Sequence, residues 1–439
     1  MQKHEQNVRE TQSSSSLAVS RTRLMPFVAE VLGTTVLLLA YSSLTWKRFV
    51  ANVGVCPQLF CDFVDYYYPM GKAIFHTGLP VEGFLYSPFN AILLAASAPL
   101  GLDASLVLWG ILQVTAVILC LLLFYQLVPA KHPTYVLFAA LTLFSYPLWL
   151  NFLGGNTGAF ILVTLLGSLL AVERGHHLTA AILLAIAVSF KFYPIIFLVP
   201  FVAGRNARFA LLGAATSILV LCVIPGLVLS TAGTVKYYGV LVEAFRASDW
   251  VAVNPHSQFF PHLALRLLGI AGAEVPTLQS ILQILSYLIV AINLILAYLV
   301  QRARVHHANI WSFQIVFLTV PFILKTSWPI DFVFLPFVQS FLITHIMEKG
   351  SKVDSRESRA RRGYRCAMFF LVVPSILISN VVFFNLLGKS SLYGYAGFLF
   401  LATTLLLFAI YVEFLPMLWQ SHKHAIGVAR SSNGIGSVA

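Results

Sequence analysis

Apolar runs of about 20 residues, the length that spans a bilayer's hydrocarbon core as an α-helix, recur from Pro26 almost to the C-terminus. They are not the short alternating segments of a transmembrane β-barrel. The pattern predicts an all-α polytopic membrane protein. Runs near 26–46, 104–128, 134–151, 157–173, 208–229, 277–301, 308–324, 328–347, 364–387 and 392–418 read as spans. Two further stretches are less regular. Residues 83–101 are interrupted by Pro88 and Pro99, so they form either a span or a half-helix returning to its own face. The stretch 178–204 carries Lys191 and Pro194 at its middle and lies between two basic loops. It reads as two short helices folded back around Phe190–Pro194. The total is about eleven or twelve segments.

Composition sharpens this picture. Of the 439 residues 59% are hydrophobic and 10% charged, with a mean hydropathy of +0.84. A soluble domain carries about 25% charged residues to cover its surface. The net charge of +12 raises the possibility of nucleic-acid binding, but the basic residues sit in short loops: Arg21 and Arg23, Arg174, Arg205 and Arg208, Arg302 and Arg304, and the cluster from Lys349 to Arg365. That is the distribution the positive-inside rule expects of cytoplasmic loops, so no nucleic-acid partner is expected.

With both termini in the cytoplasm, residues 1–25 form a polar disordered tail and 26–418 a single transmembrane domain, with 419–439 as the C-terminal tail. Residues 47–83 and 230–276 become long extracytoplasmic loops, and 348–363 a basic cytoplasmic one. Residues 26–46 are an uncleaved anchor rather than a signal peptide. The outer loops carry no Asn-Xaa-Ser/Thr site, which favours a prokaryotic plasma membrane.

This threading delivers the unexplained polar residues to one face. They are Asp62, Asp65 and Tyr66 in the first loop; Tyr86; Asn156 after two glycines; Lys191; Asn254, His256 and Arg266 in the second loop; and Lys325, Trp328 and Asp331. Ionisable groups near the membrane are costly and usually face a cavity or a partner. Each has a plainer reading: Lys191 and Lys325 as snorkelling lysines, Asn156 as a turn residue, Trp328 as an interfacial anchor, and Asp331 as a partner for Lys325. Asp62 is the hardest to explain without a ligand. A carboxylate at the membrane boundary can act as general base towards a sugar hydroxyl, while nearby cations stabilise a departing phosphate.

Cys56 and Cys61 share the first loop, and the sequence leaves open whether they pair. No His/Cys/Asp/Glu cluster has metal-ligand spacing, so neither a required metal nor another cofactor is expected; Asp62 with Asp65 is the one pair that could still coordinate a divalent ion. There is no Walker loop, GxGxxG or HExxH, and no internal duplication of the kind inverted-repeat transporters carry.

The order of these elements resembles the membrane-embedded GT-C glycosyltransferases, and within them glycosyltransferase family 87, whose members use polyprenol-phosphate mannose. The resemblance runs from about residue 26 to 347. It rests on Asp62 with Tyr66 four positions on, Gly71–Ala73, the Thr77–Pro80 turn, Tyr86-Ser87-Pro88, Gly155-Asn156, Lys191-Phe192-Tyr193-Pro194, and Asn254–Ser257 with Arg266 downstream. It implies a GT-C-like bundle with an extracytoplasmic active-site face. The implied reaction is inverting transfer of a hexose, mannose by family precedent, from a polyprenyl-phosphate donor to a lipid or glycan acceptor. Asp62 takes the catalytic-base position, with Asp65 as its rival, and Lys191 and Arg266 suit the phosphate. Tyr66, Tyr86, Asn156, Asn254, His256, Trp328 and Asp331 are the further substrate-binding candidates. One departure stands out: after the Ser-Trp pair the family usually carries histidine, whereas this chain has Ile330 and Asp331. The competing classes are a transporter or flippase, which would line a path through the bilayer, and a scaffold, for which Asp62 would be dispensable.

Overall fold

The computed structural model describes residues 28 to 414, except 30, 55, 57, 129–131, 205, 247–250, 252, 270–275, 304 and 352–357, and describes no side chains at 132–133, 349–351 and 358–362. The two tails and part of the basic 348–363 loop lie outside the described residues.

The fold is all-α. Among the described residues the only extended pairing is an isolated bridge between Ser145 and Asn380. Among the described residues five helices are long and apolar enough to cross a membrane, or six if the bent pair Tyr146–Gly154 and Gly158–Glu173 is one span: Leu102–Leu127, Ala207–Leu229, Pro276–Arg302, Pro329–Glu348 and Ser390–Phe414. The backbone of a spanning segment must satisfy its own polar groups in lipid, which a helix does without help. The apolar window of Pro329–Glu348 is 83% buried and that of Ala207–Leu229 only 17%, so the former is the central post and the latter faces lipid. Around the post, Phe334 stacks on Phe317 and Phe337 meets Phe124 edge-on. Helix 31–53 packs its aromatic face through Phe49 against Trp149 and Phe384.

Several apolar runs are broken where continuous spans are expected, and the breaks have a common cause. The 134–151 run splits into His132–Leu143 and Tyr146–Gly154, and the 364–387 run into Ser358–Ile378 and Val381–Leu387. The two breaks hydrogen-bond to each other, Tyr146 N–H to Ser379 O at 3.0 Å and Val381 N–H to Phe144 O at 2.9 Å. Backbone groups released from one helix are thereby satisfied by the other inside the protein. The 308–324 run likewise divides into Ala308–Phe317 and Val320–Ile323.

The 83–101 stretch is a half-helix. Its helical part, Pro88–Ala95, rises about 12 Å and so cannot cross a core of about 30 Å. Ser87 caps it, accepting from Asn90 N–H, while its own hydroxyl donates to Ser189 O at 2.6 Å. The half-helix is thus tied to the end of His177–Phe190, where the chain turns extended at Lys191 and continues as the 3₁₀ segment Tyr193–Phe201. Tyr146–Gly154 and Gly158–Glu173 meet at 120°, and Gly155-Asn156 forms the bend between them.

Candidate active site

The first loop starts with a disulfide, Cys56–Cys61, so the question the sequence leaves open is answered by pairing. Asp62 follows at once, at the start of a π-helical turn, Phe63–Tyr67, which runs into the helix Tyr68–Thr77. The wider turn matters. At about 100° per residue an α-helix would set Asp62 and Tyr67, five apart, roughly 140° from each other. A π-turn, with its wider winding and i→i+5 hydrogen bonds, narrows that offset to roughly 50°. Both then reach the same side chain.

That side chain is Asn156. Its amide Nδ2 donates to Asp62 Oδ2 at 2.5 Å, and its Oδ1 accepts from the Tyr67 hydroxyl at 3.0 Å. The Tyr67 and Tyr86 hydroxyls lie 2.6 Å apart. Tyr67 has one proton, already directed at Asn156, so Tyr86 is the donor in that pair. The polarity therefore runs one way, from Tyr86 through Tyr67 and Asn156 to Asp62, and such chains reinforce each member.

The bend carrying Asn156 is held from behind. Trp109 Nε1 donates to Gly155 O at 2.8 Å, Gln113 Nε2 to Asn156 O at 2.5 Å, and Asn151 Nδ2 to Gln113 Oε1 at 3.0 Å. Phe60 N–H donates to Leu153 O at 2.6 Å, stitching the first loop to the bend. The glycines are required by contact. A β-carbon on Gly154 would fall 2.5 Å from Asn156 Nδ2 and 3.1 Å from Asp62 Oδ2, while Gly155 sits at φ +70° against Phe60.

Asp62 is partly buried, and burial raises its carboxyl above the ordinary range. The Asn156 hydrogen bond opposes that shift, the Asp65 charge adds to it, and the Lys191 charge opposes it. Asp65 and Tyr66 are exposed neighbours on the same turn.

Lys191 lies within electrostatic reach of Asp62 and Tyr86. Its ammonium pairs with Asp331 Oδ1 at 2.5 Å, and the Asp331 side chain is only 1% exposed. The other oxygen, Oδ2, accepts from Trp328 N–H at 3.1 Å. Asp331 thus takes Lys191 as its partner, while Lys325 is exposed.

The second loop joins this cluster through Gln258, whose N–H donates to Ser327 O at 2.9 Å, beside Trp328. Asn254 Oδ1 accepts from His256 N–H at 2.9 Å and shapes the loop's turn. Arg266 donates to the carbonyls of Asn254, Ser257, Gly394 and Tyr395 at 3.0 to 3.4 Å. Those contacts occupy most of its guanidinium fork, and they tie the loop to the Ser390–Tyr395 helix. Burial and the nearby Arg266 charge lower His256; burial, Lys325 and Arg266 push His262 down to about 4.

The structure therefore brings Asp62, Tyr86, Asn156, Lys191, Trp328 and Asp331 to one end of the bundle in direct or neighbouring contact. Asn254, His256 and Arg266 organise the adjoining loop. Tyr67, Gln113, Trp109 and Gln258 belong to the site without being singled out by sequence. Tyr67 had a visible signal in the run of three tyrosines, but the family pattern points to Tyr66, four positions after Asp62.

The family model described as "Glycosyltransferase family 87" matches residues 84–325. Tyr86, Asn156, Lys191, Asn254, His256 and Arg266 lie inside the match, Asp62, Asp65 and Tyr66 before it, and Trp328 and Asp331 after it. No curated protein and no solved structure matches the chain. Because the match covers more than half of a chain built as a polytopic helical bundle, the protein belongs to glycosyltransferase family 87, of the GT-C type, and is a membrane glycosyltransferase.

Proposed function

We propose that the protein transfers a hexose, mannose by family resemblance, from a polyprenyl-phosphate donor to a lipid or glycan acceptor, with inversion at the anomeric carbon. Transfer occurs on the extracytoplasmic face of a plasma membrane, with both termini in the cytoplasm. The acceptor hydroxyl attacks the anomeric carbon and passes its proton to Asp62. The bond from that carbon to the phosphate oxygen breaks, and the prenyl phosphate leaves with the electron pair. Lys191 meets the departing charge: an ammonium has three donors, and Asp331 occupies one.

The observation that carries this proposal is the state of Asp62. One carboxylate oxygen is fixed by Asn156 at 2.5 Å; the other, Oδ1, has the Cys61 sulfur 3.7 Å away, which as half of a disulfide has no proton to donate, and burial makes the group more basic than an ordinary carboxylate. A general base wants both properties. Tyr86, Asn156, Trp328 and Asp331 hold the two reactive groups in register, Asp65 and Tyr66 stand at the exposed entrance, and Asn254, His256 and Arg266 shape its opposite wall. The chemistry calls for no metal or organic cofactor.

The test is sugar transfer from prenyl-phosphate mannose by the purified protein in lipid nanodiscs, wild type beside Asp62→Asn. The expected result is wild-type transfer, with at least about 100-fold less in the variant and donor binding retained. Equal transfer by the two folded proteins would remove Asp62 from the base role.

A further inference from the structure

A cavity of about 730 Å³ lies among the far ends of the segments that build the site. Glu173, on one wall, ends the helix that starts at Gly158, two residues after Asn156; Phe201, on another, ends the 3₁₀ segment that starts at Tyr193, two residues after Lys191. Sixteen helical residues place the cavity about 24 Å from Asn156, at the other end of the bundle. Arg302, His306 and His307 line it, and none of these side chains has a hydrogen bond or an ion pair among the described residues. His307 holds a left-handed backbone, φ +60°, and the two imidazole rings lie 3.7 Å apart. Burial and the neighbouring His306 and His345 push His307 down to about 4, so the surroundings disfavour positive charge there, which a bound anion would offset. Asn309 adds neutral donors: its Oδ1 accepts from Asn206 Nδ2 and Gln301 Nε2, each at 3.0 Å, which turns its own Nδ2 away from both. Glu173, the one acid in the lining among the described residues, is engaged in an interaction of its own.

We infer that this cavity is a phosphate site, filled by the headgroup of an anionic phospholipid. An arginine fork matches phosphate oxygens, and the unpartnered donors around it give the remaining oxygens partners. The source of the phosphate follows from depth. Arg302 closes Pro276–Arg302, and Asn206 directly precedes Ala207–Leu229, two membrane-length helices whose apolar windows are only 28% and 17% buried. Their lipid-facing surfaces end at the cavity, which is therefore level with the headgroups, and basic pockets between helices at that level take anionic headgroups. The side of the membrane, cytoplasmic, follows from the orientation proposed above; the binding itself does not depend on it.

The experiment titrates the full chain, purified in detergent, with dihexanoyl phosphatidylglycerol, dihexanoyl phosphatidylcholine or inorganic phosphate and follows thermal unfolding. A ligand that binds only the folded chain raises the melting temperature with its concentration. The expected result is a saturable rise with phosphatidylglycerol, none with phosphatidylcholine, and an apparent Kd at least about 10-fold weaker in Arg302→Gln/His306→Gln. Both residues are exposed, so the double variant keeps its packing, which an unchanged melting temperature without ligand verifies. Arg365→Gln removes a charge from outside the lining and should leave the Kd as it is. Equal weakening by Arg365→Gln would reduce the effect to diffuse surface attraction. A rise with inorganic phosphate as large as with phosphatidylglycerol would make the ligand a soluble anion. Binding unchanged in the double variant would place the lipid elsewhere. Each of these outcomes overturns the inference. Sugar transfer is not read, so failure of the proposed reaction leaves this site standing, and failure here leaves the reaction untouched.

Discussion

Tyr67→Phe removes a single oxygen from the far side of Asn156 and leaves every ring contact in place. The hydroxyl it deletes donates to Asn156 Oδ1 at 3.0 Å. Asn156 is 5% exposed, so water cannot easily replace it, and a buried acceptor left without its donor costs about 1–3 kcal/mol. The amide escapes that cost by rotating, which turns its Nδ2 away from Asp62. A hydrogen bond to a carboxylate contributes about 1.5–3 kcal/mol, equivalent to roughly 10- to 150-fold in rate if it positions the base. The expected result is a fall in kcat of that size with the KM for donor little changed. The pH profile carries a second signature. The Asn156 bond holds the Asp62 carboxyl down against burial, so its loss raises the pKa further. Activity requires the deprotonated base, and the acid limb of kcat/KM therefore moves to higher pH. The assay is transfer across a pH series on folded protein in nanodiscs, with thermal unfolding as a control. An unchanged acid limb and unchanged kcat would refute the relay from Tyr67 to Asp62. A lower melting temperature with normal kcat would make Tyr67 purely structural.

Three other outcomes are expected. Lys191→Met leaves Asp331 charged and unpaired in a site where it is 1% exposed, a loss of about 3–5 kcal/mol. The double variant Lys191→Met/Asp331→Leu recovers most of that stability in thermal unfolding but no transfer activity; continued instability would refute the pairing argument. His262 is pushed down to about 4 from 6.5, so between those values the unfolded chain binds a proton that the folded chain does not. Stability accordingly falls by up to about 3 kcal/mol as pH drops from 6.5 to 4, and His262→Gln should flatten the decline in melting temperature; an identical decline would refute it. Replacing Cys56 and Cys61 by serine opens a short loop, costing about 2 kcal/mol, and loosens the segment that delivers Asp62; reducing agent should do the same to the wild type and nothing further to the variant.

The membrane class was legible because hydrophobic run length is a one-dimensional property: about 20 apolar residues make a span whatever surrounds them. The site's chemistry was partly legible for a similar reason. In a chain with 10% charged residues, Asp62, Lys191 and Asp331 stand out against the apolar background, and Asn156 is announced by the two glycines before it. What the sequence could not determine is which of these residues meet. Asp331 has Lys325 six residues away and pairs instead with Lys191, 140 positions distant. Arg266 looks like a free cation in sequence, yet its donors close on four backbone carbonyls, two in its own loop and two at Gly394 and Tyr395, 128 and 129 positions away. Tyr66 stands out in the sequence through its place four residues after Asp62 in the family pattern, whereas Tyr67 reaches Asn156 only through the π-helical turn of the folded chain. Similarly, the runs at 134–151 and 364–387 read as whole spans because hydropathy does not register a break whose freed backbone groups are satisfied by another break more than 200 residues on. Periodicity and composition report the solvent each segment sees. Hydrogen-bond partners and the local helical pitch are decided only when segments far apart in the chain are packed together, and in this protein that packing is what turns scattered polar residues into a site.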